Sequence, residues 1–329
     1  MTFFAILCAL LLEQARPLSR HNPVQSGVRQ WAGWASRNLD AGKPHHGGIA
    51  WAIAVGLPAV GASSVYWWLD EAIGWPVAML WSIAVLWLTL GFRQFSQHFT
   101  GIRDALDRGD EQAARELLAH WQQVDTRAVP RVELVRHVIE YSVIAAHRNV
   151  FGVLTWYVAL AAIGLGPAGA VLYRLSEFVA RYWRHRGSAS GEHPASAALQ
   201  KVARDCWHAI DWVPARLTAA SFAVVGSFEE AIDGWRNHAR QFPDDDDGAI
   251  LAATAGAINV RLGGAALKAS FAASSSQALE YDASAQTSIP TPGRDPEPAH
   301  LRIVVALVWR SVVMWMVLLA LLTLARLLG

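Results

Sequence analysis

Ile49 to Leu69 and Ile73 to Gly91 are apolar stretches without a charged residue, separated only by Asp70, Glu71 and Ala72. A helix needs about 20 apolar residues to cross roughly 30 Å of hydrocarbon. The pattern therefore predicts two membrane spans, 49–69 and 73–91, joined as a tight helical hairpin. Pro58 and Pro76 are tolerated in such helices where neighbours re-satisfy the backbone. Tyr66, Trp67, Trp68 and Trp75 crowd the hairpin turn, where an aromatic belt is expected. Leu301 to Ala325 forms a third span, 301–325, with Arg310 about a third of the way in.

Three other apolar stretches are less regular. Residues 2–12 read as a retained N-terminal hydrophobic helix, since no basic segment precedes them and no small-residue cleavage site follows. Residues 150–173 are interrupted by Gly164, Gly166, Pro167 and Gly169, which fits either one irregular span or a re-entrant pair of short helices. Residues 212–226 include Arg216 and are short for a crossing, so they read as re-entrant, interfacial or packed on other helices.

The polar stretches complete the picture. Residues 92–149 form a polar helical region. Asp110 caps a helix carrying Ala113, Ala114, Leu117, Leu118 and Trp121, and a second helix starts after Pro130. Residues 270–299, rich in Ser, Ala, Pro and Gly, read as a flexible loop before the last span. Glu13 to Gly48 carries Arg16, Arg20, Arg29, Arg37 and Lys43 against Glu13 and Asp40, Phe92 to Asn149 carries eight Arg, and two spans separate these stretches, so both are expected on the cytoplasmic side. The expected fold is all-α: a single multi-pass membrane domain, 1–329, with a polar helical layer.

Composition agrees. Charged residues make up 17% of the chain, against about 25% in average soluble domains. The 16 Trp suit a membrane interface. Cys8 and Cys206 support neither a disulfide framework nor a cysteine zinc site. A net charge of +1 gives no polycation for nucleic acid, and the expected partner is the lipid bilayer. Phosphate-binding loop, dinucleotide fingerprint, nucleophile elbow and HExxH motifs are absent from the sequence.

Two polar clusters invite a metal. Glu133, His137, Glu140 and His147 share a face of one helix, and Asp244 to Asp247 are four adjacent carboxylates. A solvated or helix-packing face is the expected role of the first and a solvated loop that of the second. No metal site is assigned.

Several short strings, taken in order, carry a resemblance. RHNPV (Arg20 to Val24), LDRGDEQAARELL (Leu106 to Leu118), Asp125-Thr126, FGVLTWY, GPAGAVLYR (Gly166 to Arg174), WVPARLTA (Trp212 to Ala219) and AGAINVRLGG (Ala255 to Gly264) resemble the CobD/CbiB cobalamin-biosynthesis family. The resemblance implies a multi-pass protein of the bacterial inner membrane. Its characterised activity is adenosylcobinamide-phosphate synthase: amide ligation of aminopropanol or its phosphate to adenosylcobyric acid. ATP and a divalent cation are implied only with that activity, and a corrinoid is the implied ligand. Arg115, Asp125, Thr126, Arg174, Arg216 and Arg261 sit in the matching strings and are the candidate ligand-binding residues.

Departures fall among the polar signature residues. Gln123-Val124 replace Gly-Arg before Asp125-Thr126, and His147-Arg148 followed by Phe151-Gly152-Val153 replace Glu-Asn and Asp-Gly-Val. Glu177 to Tyr182 stand where the family carries Asn-Thr-Leu-Asp-Ser-Met. Trp207 and His208 stand for paired Asp, and Asp244 to Gly248 for Ser-Pro-Asn-Ala-Gly. AHRNVFGVLTWY and the later YRL also resemble the AmpE-like branch, which implies the alternative of a non-catalytic membrane sensor. No catalytic residue is assigned.

Overall fold

The computed structural model describes residues 2–15, 23–122, 124–127, 129–188, 194–267 and 287–328. Arg20 to Asn22, Gln123 and residues 270–286 of the expected loop lie outside the described residues. Helices α1 (Thr2–Ala15), α2 (Pro23–Leu39), α3 (Pro44–Trp51) and α4 (Leu57–Ala72) come first. Then follow α5 (Trp75–Thr89), α6 (Phe92–Asp107), α7 (Glu111–Gln122), α8 (Arg131–Ala146) and α9 (Gly152–Ala162). The last are α10 (Ala168–Ser188), α11 (Ala197–Val225), α12 (Phe228–His238), α13 (Asp245–Ile258) and α14 (Pro298–Leu328). Among the described residues there is no β-strand, so the fold is all-α as expected.

Among the described residues, three helical runs are long and apolar enough to cross a bilayer: Pro44–Ala72, Arg131–Ala162 and Pro298–Ala325. Their exposed side chains include Leu57, Val60, Val313, Val317 and Leu321, a surface suited to lipid rather than water. The chain is a helical membrane protein. Helix α5 is shorter than the apolar pattern suggests. Gly74 turns the chain at φ 116° before it, and Leu90 leaves it in an extended conformation. Its 15 residues reach about 22 Å at ~1.5 Å per residue. Conversely, Arg131–Ala162 runs through a π-helical turn at His147–Phe151, joining the polar α8 to the apolar α9.

The chain divides into two compact units. One comprises Met1–Arg93, Arg148–Asp211 and Leu319–Gly329. Its helices manage their prolines with tryptophans. Pro58 has no N–H to give the carbonyl of Ala54, four residues earlier, and the helix relaxes there into a π-turn, Ala52–Gly56. The indole of Trp31 donates to that carbonyl at 3.1 Å. Pro214 in α11 likewise leaves the carbonyl of Ile210, which accepts from the Trp156 indole at 2.9 Å. In hydrocarbon an unsatisfied backbone group costs several kcal/mol, so these bonds make the prolines tolerable. The turn between α9 and α10 has Gly164 at φ +85° and Gly166 at φ +56°. Its carbonyls are covered from α4: Ser63 donates to Leu165 and Trp67 to Gly164. Residues 150–173 are thus a helix, a turn and a second helix.

The other unit comprises Gln94–His147 and Trp212–Leu318. Its centre is the α12–α13 pair, which approach through small residues: a Cβ at Gly256 would strike the carbonyl of Glu230, and one at Gly234 that of Ala252. Asp244 caps α13 by accepting from the N–H groups of Asp246 and Asp247, and Asn259 ends it in the left-handed region at φ 52°. The four-Asp run therefore begins a helix rather than standing as a solvated loop. Beyond it, Arg261 N–H donates to the Arg294 carbonyl and Thr291 N–H to that of Leu262, fastening 260–264 to 288–294.

Candidate functional site

In the second unit, the charged face of α8 meets the loop after α13. Arg136 is buried and donates to Glu133 at 2.6 Å and to Glu140 at 2.8 Å. It also reaches the Ala265 carbonyl at 2.7 Å, while Glu140 accepts the Gly263 N–H at 2.7 Å. His137 lies 3.4 Å from Glu140. Each charge is matched by an opposite charge or a backbone dipole, as burial requires. The cluster pins the glycines of the loop to the helix. His147, on the same helix, is also buried; its Nδ1 lies 2.9 Å from the Thr218 hydroxyl, whose one proton goes to the Pro214 carbonyl.

Among the described residues no group of three or more His, Cys, Asp and Glu side chains is arranged to hold a metal ion. Glu133 and Glu140 are engaged by Arg136, Asp244 by backbone N–H groups, and Asp246 by Arg216.

The candidate arginines are distributed over both units. Arg115, Arg216 and Arg261 belong to the second, Arg174 to the first. Arg115 pairs with Glu111 at 3.1 Å and donates to the Val129 carbonyl. The Thr126 hydroxyl donates to the carbonyl of Arg115 at 2.9 Å, so these two candidates do meet. Asp125 accepts from Arg127, an exposed guanidinium held above its ordinary value chiefly by that hydrogen bond. Arg216 lies over the Trp212 ring, 4.1 Å from its centroid, and bonds buried Asp246 at 2.6 Å. Arg261 pairs with Asp295 on the surface. Within this unit, Arg115, Arg216 and Arg261 each hold a different carboxylate.

In the first unit, Tyr173 is wholly buried and its hydroxyl donates to buried Asp211 at 2.8 Å. The ring fits only because residue 152 is glycine; a Cβ there would overlap the phenol. Trp207 packs against the same ring at 5.2 Å. One residue on, Arg174 points to Glu177 at 3.4 Å, and Arg181 approaches the same carboxylate at 3.3 Å. Glu177, Arg181, Asp211 and Arg136 are not among the candidate site residues of the sequence. The i, i+3 and i, i+4 spacing of Arg136–Glu140 and of Arg174–Glu177–Arg181 was available as a signal. Nothing in the sequence links Tyr173 to Asp211.

A family model described as CobD/Cbib protein matches residues 3–288. The chain belongs to the CobD/CbiB family. A relative named "Cobalamin biosynthesis protein CobD" from Stutzerimonas stutzeri (strain A1501) is 29% identical over 328 residues, 96% of either chain. One of the same name from Chromobacterium violaceum is 32% identical over 184 residues, covering 56% of this chain and 55% of its own. Another from Mycobacterium tuberculosis (strain H37Rv) is 28% identical over 239 residues, 70% of this chain and 72% of its own. No solved structure matches the chain. The CobD/CbiB strings acquire a spatial sense from the fold. Gly152 of FGVLTWY, Tyr173 of GPAGAVLYR and Asp211, just before WVPARLTA, form one packed contact. Likewise Gly263 and Gly264 of the late string are tied to Glu140 and Ser288.

Proposed function

We propose that this chain is a membrane protein of cobalamin biosynthesis that joins aminopropanol, or its phosphate, to adenosylcobyric acid as an amide. The observation that carries this reading is the end-to-end correspondence with a CobD-named relative, 96% of each chain. The family model, over residues 3–288, supports it. In the reaction the carboxyl carbon bonds the amine nitrogen, one carboxylate oxygen departs and the amine gives up protons. ATP supplies the driving force by taking that oxygen onto phosphate.

The protein's part is to bind and orient anionic groups. Arg115, Arg174, Arg216 and Arg261 offer the planar, bidentate donors suited to carboxylate and phosphate, with Asp125 and Thr126 beside the Arg115 segment. Glu133, Glu140 and Asp246 are engaged by arginines and Asp244 by backbone N–H groups, so on this reading a divalent ion enters with the nucleotide's phosphates. We place the chain in the bacterial inner membrane as a multi-pass protein, with Glu13 to Gly48 and Phe92 to Asn149 cytoplasmic.

The test uses purified full-length protein with adenosylcobyric acid, ATP and aminopropanol phosphate, the product being read by mass. An amide product that depends on all three is expected. Corrinoid binding without product overturns the ligase reading, and absence of binding overturns the corrinoid assignment.

A further inference from the structure

The helices of the first unit are tied together at two opposite ends. At one end the Trp183 indole of α10 donates to the Ala32 carbonyl of α2 at 3.0 Å. Asp40, just after α2, accepts from the backbone N–H and the hydroxyl of Ser196 at 2.8 and 2.7 Å. Gly47 of α3 lies so close to α11 that a Cβ there would meet Leu199 Cα at 3.4 Å and Val202 Cγ2 at 3.3 Å. At the other end the turn between α4 and α5 lies beside the turn between α9 and α10. Ser63 and Trp67 of α4 donate to the carbonyls of Leu165 and Gly164, and a Cβ at Gly166 would strike the Tyr66 ring. Helix α10 joins the two ends and packs against α2, α4, α5 and α9. Its 21 residues cover about 31 Å at ~1.5 Å per residue, as much as the roughly 30 Å of hydrocarbon in a bilayer.

The two ends differ in chemistry. The first exposes Arg37, Lys43, Arg184, Lys201 and Arg204. The second exposes Trp67, Trp68, Ile73, Trp75 and Ile163, the last at 70%. No Lys or Arg occurs between Leu57 and Phe92 or between Gly152 and Tyr173. Exposed tryptophans belong at the membrane–water boundary, and basic residues collect on one side of the membrane. Asp70 and Glu71 are exposed beside the tryptophans, which suits headgroups and water rather than hydrocarbon. Composition hides α10 as a membrane helix because it carries Arg174, Glu177 and Arg181. Yet Tyr173, Ser176, Glu177 and Trp183 are all buried. A polar residue at membrane depth is tolerated where it faces protein or a water-filled cavity, and α10 turns such residues toward its neighbours.

We propose that α9 and α10 form a second full membrane hairpin beside α4 and α5, and that the aromatic end made by the two turns docks in the lipid headgroup region of the far leaflet. Residues from Arg184 to Arg204 then return to the side that holds Glu13 to Gly48. A single crossing by 150–173 would instead place those basic residues opposite Arg37 and Lys43, and would separate Ser196 from Asp40. The hairpin also sets Arg174 within the depth of the bilayer, on a helix open to the Arg-rich side. That the two basic segments share a side follows from their contacts alone. Only the name of that side, cytoplasmic, rests on the orientation given under the proposed function.

The experiment labels single cysteines in the full chain, expressed in a bacterial inner membrane with Cys8 and Cys206 replaced by serine. An impermeant maleimide is added to intact spheroplasts and, separately, to opened membranes. Asn38→Cys and Arg204→Cys report the basic end, Glu71→Cys and Ile163→Cys the aromatic end; all four positions are exposed. Both cysteines of the aromatic end should label in intact spheroplasts at least about tenfold faster than both of the basic end, and all four should label in opened membranes. Where a variant fails to reach the membrane, Lys201→Cys replaces Arg204→Cys, Asp70→Cys replaces Glu71→Cys and Ala162→Cys replaces Ile163→Cys. Asn38→Cys and Arg204→Cys on opposite sides would show a single crossing and overturn the proposal. So would Ile163→Cys on the side of Asn38→Cys, the mark of a re-entrant pair that never reaches the far leaflet. Ile163→Cys that stays unlabelled in opened membranes overturns it as well, since the turn would then lie in hydrocarbon. The full pattern in reverse, with only the basic end labelled in intact spheroplasts, would fail the cytoplasmic orientation and leave the hairpin standing.

Discussion

Gly152→Ala is expected to damage the fold more than a single methyl suggests. In a helix the change alone favours alanine by about 0.5–1 kcal/mol. Here the new Cβ would overlap Cζ, Oη and Cε1 of Tyr173. Carbon atoms pack at about 3.5–4.0 Å, so the ring must retreat by on the order of 1–2 Å from a site where it is wholly buried. Overpacking of this kind costs roughly 1–3 kcal/mol. The retreat also removes the hydroxyl from buried Asp211, and a lost hydrogen bond to a charged group adds about 1.5–3 kcal/mol. The net loss is roughly 2–5 kcal/mol after the helix gain, or about 3–7 °C in Tm. Thermal unfolding of the purified protein in detergent measures it. Tyr173→Leu should lower stability alone but restore much of the loss in the Gly152→Ala background, since the shorter side chain vacates the overlap. A Gly152→Ala protein that melts with the wild type would refute the packing argument, as would additive effects in the double variant.

Other expectations follow from single contacts. Trp156→Phe should destabilise by about 1–3 kcal/mol because the Ile210 carbonyl loses its donor. In a Pro214→Ala background that cost should largely vanish, since residue 214 then supplies its own N–H; an equal cost in both backgrounds in thermal melts counts against the account. Asp244→Ala, which removes the cap of α13, should cost about 1 kcal/mol, and Asp244→Asn much less; equal losses would show that capping is not the cause. Burial raises the Cys206 thiol above its ordinary value, so its alkylation should be slow near neutrality. The rate should keep rising with pH past the ordinary thiol value of about 8.5, whereas a plateau below that pH would contradict the burial. Cysteines placed at exposed Asn38 and Gln112 should be spared by an impermeant maleimide added to intact cells, and strong labelling of both would reverse the proposed orientation.

What could be read from the sequence was what depends on local pattern. The apolar blocks announced the membrane because hydrocarbon solvation acts on composition over some twenty residues. Their ends were less legible: α5 stops short at Gly74 and Leu90 because backbone conformation, not apolarity, ends it. The Asp244–Asp247 run looked like a solvated patch of like charge. Followed by an apolar helix it was equally a helix start, and the fold uses Asp244 as a cap and Asp246 as the Arg216 partner. The α8 face of Glu133, His137 and Glu140 was visible from its spacing. Arg136 stands off that face in the helical count, yet its long side chain reaches both carboxylates. The pairing of Tyr173 with Asp211 depends on tertiary packing across 38 positions, which no periodicity records. Arg115, Arg216 and Arg261 are legible as candidates, and Glu111 follows from its i, i+4 spacing to Arg115, but the pairings of Arg216 with Asp246 and of Arg261 with Asp295 are not legible.

The role in cobalamin biosynthesis is tested most directly in a bacterial strain that lacks its own adenosylcobinamide-phosphate synthase but keeps every other step. Expression of this chain, with its presence in the membrane verified by immunoblot, is expected to restore corrinoid-dependent growth on adenosylcobyric acid and to yield an amidated corrinoid detectable by mass. Growth should weaken with Arg216→Ala or Arg261→Ala at equal protein level. A folded, membrane-inserted wild-type chain that leaves adenosylcobyric acid unconverted, while an authentic synthase in the same strain converts it, would contradict the account.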